Sequence, residues 1–273
     1  MIKNTCTCLA LALMLFACSK TKESSDSQLS TAPDTTAKAP VVLAKDPRKI
    51  GPEKSKDQIT IEQNIYSINA SENPLYGYWV GSFGKNKINI AIARIEGDSI
   101  FGHSVCAGNF RAIKGTIQKT GEDIYKAVMR EPGDDQYDGE FQFEVDAARQ
   151  ELSGSWKPYK KTVGAKTYIL LKTDFTYDPT LGDHPEASTT YLDVPDVENL
   201  LPEEIEMIRN EIYARHGYSF TNIKIRRIFD EKDWYIPMAI DIRDQLTDIE
   251  AHNIDLLLNY EEYQEEYYND YGR

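Results

Sequence analysis

Three side chains suited to acid–base chemistry lie within four positions: Tyr213, Arg215 and His216, with Arg209 and Glu211 just upstream. A phenol, a guanidinium and an imidazole sharing one pocket would bind an anion or move a proton near neutral pH. Whether they share a pocket depends on the backbone that carries them. Leu201, Ile205, Ile208 and Ile212 recur at spacings of four, three and four, the stripe of an amphipathic helix. On a helix, residues two apart differ by about 200°, so Tyr213 and Arg215 point to nearly opposite sides. Arg209, Tyr213 and His216 then form a half-buried polar cluster at the edge of the apolar stripe. Arg215 pairs with Glu211 on the exposed face, an interaction of roughly a few tenths of a kcal/mol. Gly217 falls where a left-handed residue closes the last turn and brings Tyr218 against Tyr213. The cluster reads as packing, with a ligand site as the alternative.

Other chemistry-bearing groups are scattered. Asp134, Asp135 and Asp138 sit in an acidic stretch at 131–140 that could hold calcium, but without the regular ligand spacing of a calcium loop. That stretch reads as a solvated hairpin. His103 and Ser104 point to opposite sides of one strand, with no partner named by the sequence. Four histidines (His103, His184, His216, His252) show no metal-ligand spacing, and there is no Gly-x-Ser-x-Gly, phosphate loop or His-Glu-x-x-His. No catalytic residue, metal or cofactor is expected, and the chain reads as a non-enzyme. Tyr260, Tyr263 and Tyr267 form a helical stripe read as core packing, with partner docking as the alternative.

Two kinds of element must position these groups. Residues 72–173 alternate apolar and polar in short runs, broken by turn signals at 96–98, 107–109, 120–122 and 132–135. About eight strands follow, near 77–83, 87–96, 99–106, 109–118, 123–130, 137–145, 151–157 and 166–172. An apolar–x–Gly–x–apolar pattern recurs at 75–79, 113–117, 137–141 and 152–156, and its first half at 100–104. With a period of two, the glycine shares the inner face with both apolar residues, leaving room for a facing side chain and letting the strand bend. That predicts a small closed antiparallel up-and-down barrel, its interior filled by side chains or holding one small ligand. Residues 174–190 carry prolines, a glycine and four acids without a base, and read as an interdomain linker.

From 191 the pattern is helical: a helix starting at Pro202 behind the weak cap Leu201, a second over 222–235, and a third capped by Thr247 with Glu250 three later. The fold expected is α+β in two domains, a barrel at 72–173 and three helices within 191–273. The net charge of −13 is lopsided, because 191–273 holds eight bases and twenty acids. Such a surface disfavours nucleic acid and permits a basic or neutral partner.

At the other end, Lys3 precedes an apolar run from Leu9 to Ala17, too short to span a bilayer. Residues 15–18, LFAC, resemble the lipobox of bacterial lipoproteins. The resemblance implies a signal peptide at 1–17, cleavage before Cys18 and acylation of that cysteine, a membrane anchor. Ser19 after it, where an aspartate would retain a lipoprotein at the inner membrane, points to the outer membrane where the cell has one. Cys6 and Cys8 leave with the signal, so only Cys106 stays free and no internal disulfide can form. Residues 18–71 read as a polar tether.

The helical region resembles the YARHG domain. The matching residues are Arg209–Gly217, then Phe220, Phe229, Trp234 and Tyr235, then Glu250, Asn253 and Ile254. The resemblance covers about 190–263 and implies a bacterial extracytoplasmic module, found beside peptidase and kinase domains, with no established activity. Gly77, Tyr78 and Trp79 are similar to the Gly-x-Trp of lipocalin-type barrels. The reading is an envelope lipoprotein acting as a non-catalytic binding module toward an envelope protein or cell-wall component. The alternatives are a small-ligand carrier using the barrel interior and an accessory to cell-wall or peptide hydrolysis. A filled interior favours the first, an empty apolar one the carrier.

Overall fold

The computed structural model describes Lys56, Ile68 and residues 71–134, 136–161 and 163–270, with side chains as far as 265. The signal peptide, Cys18, most of the tether, Asp135 and the Tyr267 side chain lie outside the described residues.

Eight strands run in order: β1 (Gly77–Phe83), β2 (Asn86–Glu96), β3 (Ser99–Cys106), β4 (Asn109–Lys119), β5 (Ile124–Arg130), β6 (Gly139–Asp146), β7 (Glu151–Pro158) and β8 (Lys166–Thr173). Each pairs antiparallel with the next, and β8 closes on β1, with Val80 opposite Leu171. Closure leaves no unpaired edge. All eight expected strands are present because alternation and turn chemistry are local signals that nothing later in the chain contradicts.

Trp79, Ile90, Ile113, Met129, Phe141, Leu152 and Leu170 are buried in one core cluster inside the barrel. The glycines of the repeated pattern give that core its room. A Cβ on Gly139 would lie 2.7 Å from Trp156 Cε2, and one on Gly154 2.6 Å from Phe143 Cβ. One end is closed by the entering chain. Leu75 joins the core, its carbonyl accepts from Trp79 Nε1 at 3.1 Å, and Tyr76 Oη accepts from Ile95 N at 3.0 Å. The other end is a rim made by the turns after β1, β3, β5 and β7.

The C-terminal region holds α1 (Glu186–Thr189), α2 (Val194–Val197), α3 (Pro202–Arg215), α4 (Ile223–Asp230) and α5 (Asp248–Asp270), with a 3-10 turn at Arg243–Gln245. The three expected helices are α3, α4 and α5; the single turns α1 and α2 are additional. The second helix stops at Asp230, short of the expected end, because the chain turns back there to lay Trp234 and Tyr235 against Phe229, with ring centroids at 6.1 and 5.9 Å. At the start of α5, Thr247 Oγ1 accepts from Glu250 N at 3.2 Å and Glu250 Oε2 from Thr247 N at 3.0 Å, a reciprocal cap. At the start of α3, where Leu201 offers no acceptor, Glu204 Oε2 accepts from Leu201 N at 2.8 Å.

The stretch read as a linker is in part a component of the helical core. Ala187 is fully buried there, and Asn253 of α5 holds the chain around it, donating to the carbonyls of Ala187 (2.9 Å) and Thr190 (2.8 Å) and accepting from Leu192 N (2.8 Å). A segment without periodicity gives no sign that its backbone will be claimed by side chains sixty residues away. Among the described residues no helix is long and apolar enough to cross a membrane.

The helical domain sits on the barrel rim. Lys87 Nζ donates to the carbonyls of Lys232 (2.7 Å) and Tyr235 (3.0 Å), and Lys87 N to Asp230 Oδ2 (3.0 Å). Asn89 Nδ2 donates to Pro237 O at 3.1 Å, and Arg226 Nε to Asn86 Oδ1 at 3.1 Å. At the β3–β4 turn, Gly108 N donates to Ser219 Oγ at 2.9 Å, and Thr221 comes so close that a Cβ on Gly108 would meet its Cγ2 at 2.2 Å.

Candidate functional site

The sequence directs attention first to the end of α3. Gly217 has φ +70°, Gly217 N donates to Ala214 O at 2.9 Å and Tyr218 N to Tyr213 O at 3.0 Å, the paired bonds of a Schellman ending. A β-carbon at Gly217 would also lie 2.6 Å from Met238 Cγ, so the helix stop doubles as the seat of the chain returning from the rim.

The side chains before it go three ways. Arg209 forms a two-pronged pair with Glu261 of α5, Nε to Oε1 at 2.9 Å and Nη2 to Oε2 at 3.0 Å. Tyr213 is buried in the helical core. His216 Nε2 lies 2.8 Å from Glu250 Oε2, and its ring stacks on Tyr177 at 4.4 Å. Glu250 is also bonded by Ser188 Oγ (2.7 Å) and Tyr177 Oη (3.0 Å). Burial raises the Glu250 carboxyl pKa, but hydrogen bonds from His216, Thr247 and Ser188 outweigh it and hold it below its ordinary value. Ser188, His216 and Glu250 are the residue types of a hydrolytic triad. Here, however, serine and histidine both engage the one carboxylate, an arrangement that positions three chain segments and does not relay a proton to Ser188.

Two expectations are corrected. His216, at 4% exposure, and Tyr213, at 0%, are buried where half-burial was expected, while Arg209 is half-buried as expected. Arg209 and His216 engage different turns of α5, so they do not share a pocket. Arg215, read as half of an exposed pair, is 1% exposed. Its Nε donates to Leu181 O (2.7 Å), Nη1 to Ser188 Oγ (3.0 Å), and Nη2 to His184 O (2.7 Å) and Glu211 Oε1 (2.5 Å). The supposed linker lies over this face and turns a surface pair into a buried one. Phe220, stacked on Phe229 at 4.9 Å, and Tyr235, whose hydroxyl donates to Tyr218 O at 2.7 Å, complete the aromatic core beside Trp234. Of the tyrosine stripe on α5, Tyr260 packs on the core and Tyr263 is exposed.

A different place has the form of a site. At the barrel rim a recess of about 320 Å³ is lined by Phe83, Phe141, Trp156, Glu131, Lys166 and Arg226, among others. That volume is at the small end of ordinary ligand pockets. The sequence placed Glu131 and Asp138 on a solvated hairpin, but both are buried. The tip of the hairpin, Gly133, Asp134, Gln136 and Tyr137, is exposed as expected, but Glu131 and Asp138 at its base are drawn in by partners on other strands. Glu131 Oε2 accepts from Trp156 Nε1 (3.0 Å) and Gly139 N (2.8 Å), while Oε1 faces Ser104 Oγ at 3.5 Å. Burial pushes the Glu131 carboxyl up to about 7, against the pull of these bonds and of Arg111. Asp138 accepts from Arg111 Nε at 3.2 Å. With Asp138 held by a guanidinium, the calcium reading loses a ligand, and among the described residues no group of three or more His, Cys, Asp or Glu could hold a metal.

Ser104 therefore has a partner in Glu131. His103, on the opposite side of β3, stacks on Phe110 at 4.6 Å, and burial lowers its pKa to about 4. Cys106 lines the recess, and burial pushes its thiol up to about 12, which keeps it protonated and weakly nucleophilic. Sequence reasoning missed this recess because its residues come from seven strands, the hairpin after β5 and α4. The one available signal was the acid-rich hairpin itself.

Residues 183–262 match the model of the YARHG domain. Comparison with curated proteins and with solved structures gives no match.

Proposed function

The helical region, residues 183–262, is a YARHG domain, and from that premise we propose that the protein is a non-catalytic binding module carried at the bacterial envelope by a lipid on Cys18. The observation that carries this is how the helical domain is used. Arg209, Tyr213, Arg215, His216 and Gly217 are engaged within it, while its α4 side is bonded to the barrel rim around an open recess. The domain acts as a brace, and the braced rim is the binding end. The packed barrel interior favours this over a carrier that swallows its ligand whole. At the rim, a protonated Cys106 thiol and a carboxylate already bonded to Trp156 support binding better than bond cleavage.

Capture from native envelopes tests the reading. The full chain is compared with Asn109→Trp, which crowds the recess, and with Glu122→Trp, on the exposed β4–β5 turn at the closed end. A bound component retained by the wild type and by Glu122→Trp, and lost with Asn109→Trp, is expected. Equal capture by all three would remove the rim from the account. In the same cells, incorporation of labelled fatty acid is expected to vanish in Cys18→Ala.

A further inference from the structure

The charge of the rim recess is opposite to that of the chain. In a protein of formal charge −13, the recess is lined by Arg111, Lys166 and Arg226 against the single carboxylate Glu131. Arg111 is taken by Asp138. Among the described residues neither Lys166 nor Arg226 makes an ion pair, although Arg226 lies within electrostatic reach of Asp230, one turn on in α4. Lys166 Nζ lies over the rings of Phe83 (4.1 Å) and Trp156 (5.3 Å). Arg226 is oriented by neutral acceptors only, Asn86 Oδ1 and the carbonyls of Phe220 (3.2 Å) and Thr221 (2.9 Å). Fixed this way, a guanidinium keeps its charge and part of its donor fork for a ligand. The charges of Lys166 and Arg226 act on the Cys106 thiol, as do those of Asp230 and Glu131, so both cations stand within electrostatic reach of the same floor. The same recess carries an aromatic wall of Phe83, Phe141 and Trp156.

We infer that the recess binds a small organic carboxylate, its anionic head between Lys166 and Arg226 and its apolar body against Phe83, Phe141 and Trp156. The inference rests on the rim being the binding end. Carboxylate fits better than a doubly charged phosphate, because Glu131 and Asp230 offset part of the cationic charge and inorganic phosphate has no apolar body for the aromatic face. Glu131 adds a dependence on pH. The groups facing it are Asp138 and Arg111 beside its carboxylate, Cys106 on β3, Tyr159 after β7 and Lys166 on β8. As Glu131 loses its proton near pH 7, it repels the bound anion, so affinity falls with rising pH.

The test uses the purified full chain with 3-phenylpropionate, its neutral amide and inorganic phosphate as probes. Calorimetry gives affinity, and the indole N–H signal of Trp156, identified by its loss in Trp156→Phe, gives location. The carboxylate is expected to shift that signal and to bind more tightly than either other probe. Lys166→Gln is expected to weaken it by roughly ten-fold, the worth of one charge-assisted hydrogen bond, while the indole spectrum without ligand shows the variant folded. Affinity is expected to fall between pH 6 and 8 in the wild type and to stay level in Glu131→Gln. Equal binding of the amide or of phosphate would overturn the ligand class, as would a carboxylate that leaves Trp156 unmoved. If envelope capture is still lost with Asn109→Trp in that case, only the ligand class has failed. If capture is indifferent to Asn109→Trp as well, the rim itself is the wrong place.

Discussion

Arg215→Ala is expected to destabilise the helical domain by about 3–5 kcal/mol, the cost of removing one partner from a buried ion pair. The guanidinium meets Glu211 Oε1, two backbone carbonyls and Ser188 Oγ, and its side chain has no measurable exposure. Without it, Glu211 keeps His184 N at 2.7 Å but loses its counter-charge in a dry site. The carbonyls of Leu181 and His184 also lose their donors. Arg215→Lys is expected to restore little, since one ammonium on a flexible stem cannot reproduce a planar fork aimed at acceptors on three sides. Replacing both charges, as in Arg215→Met with Glu211→Leu, is expected to recover much of the loss, because the second variant removes the stranded carboxylate. Denaturant unfolding of the wild type, Arg215→Met, Glu211→Leu and their double variant gives the cycle, and amide exchange over 177–192 shows whether the covering segment loosens first. A loss below about 1 kcal/mol in Arg215→Ala, the range of an exposed pair, would contradict the buried geometry.

Glu131→Gln is the second large effect, and it is a difference that grows with pH. The folded-state pKa of Glu131 is raised from 4.5 to about 7, so between those values the folded protein holds a proton that the unfolded chain has released. Its contribution is fully present below 4.5 and is lost as pH rises through 7, a swing of about 3 kcal/mol. His103 opposes it. Its pKa is lowered from 6.5 to about 4, so its cost appears as pH falls through nearly the same window. The slopes of these two groups are therefore expected to cancel in the wild type between about pH 4.5 and 6.5, where their windows overlap. The difference between Glu131→Gln and wild type isolates the carboxyl. The glutamine keeps an acceptor for Trp156 and Gly139 and takes no charge, so the variant should gain on the wild type steadily to about pH 7 and hold its lead above. A difference level from pH 5 to 8 in chemical unfolding would show that Glu131 titrates normally.

The elements were legible where the signal was local. A period of two between turn residues named every strand, and the spaced glycines named the closed form; two of them, Gly139 and Gly154, lie where Trp156 and Phe143 from a paired strand need the room. The Ile205, Ile208 and Ile212 stripe, Gly217 and the Thr247–Glu250 cap gave the long helices in the same way. The motif residues were identifiable as a group, but their partners were not. Arg215 was assigned to solvent because the helix alone leaves its face open, and the cover comes from 177–192, which has no pattern of its own. Glu131 and Asp138 were assigned to solvent because acids beside Pro132 and Gly133 mark a turn, and a turn signal says nothing about which of its acids Trp156 and Arg111 will claim at its base.

The sequence by itself determined the closed eight-stranded barrel, the three long helices, the helix-stopping task of Gly217 and the family of the helical region, because each rests on side chains within a few residues of one another. Only the tertiary structure decided that Arg215 and Glu131 are buried, that the helical domain is bonded to the rim through Lys87, Asp230 and Arg226, and that a cationic, aromatic recess opens there in an acidic protein. Burial and charge environment are sums over groups that approach from distant parts of the chain, and no local pattern contains that sum.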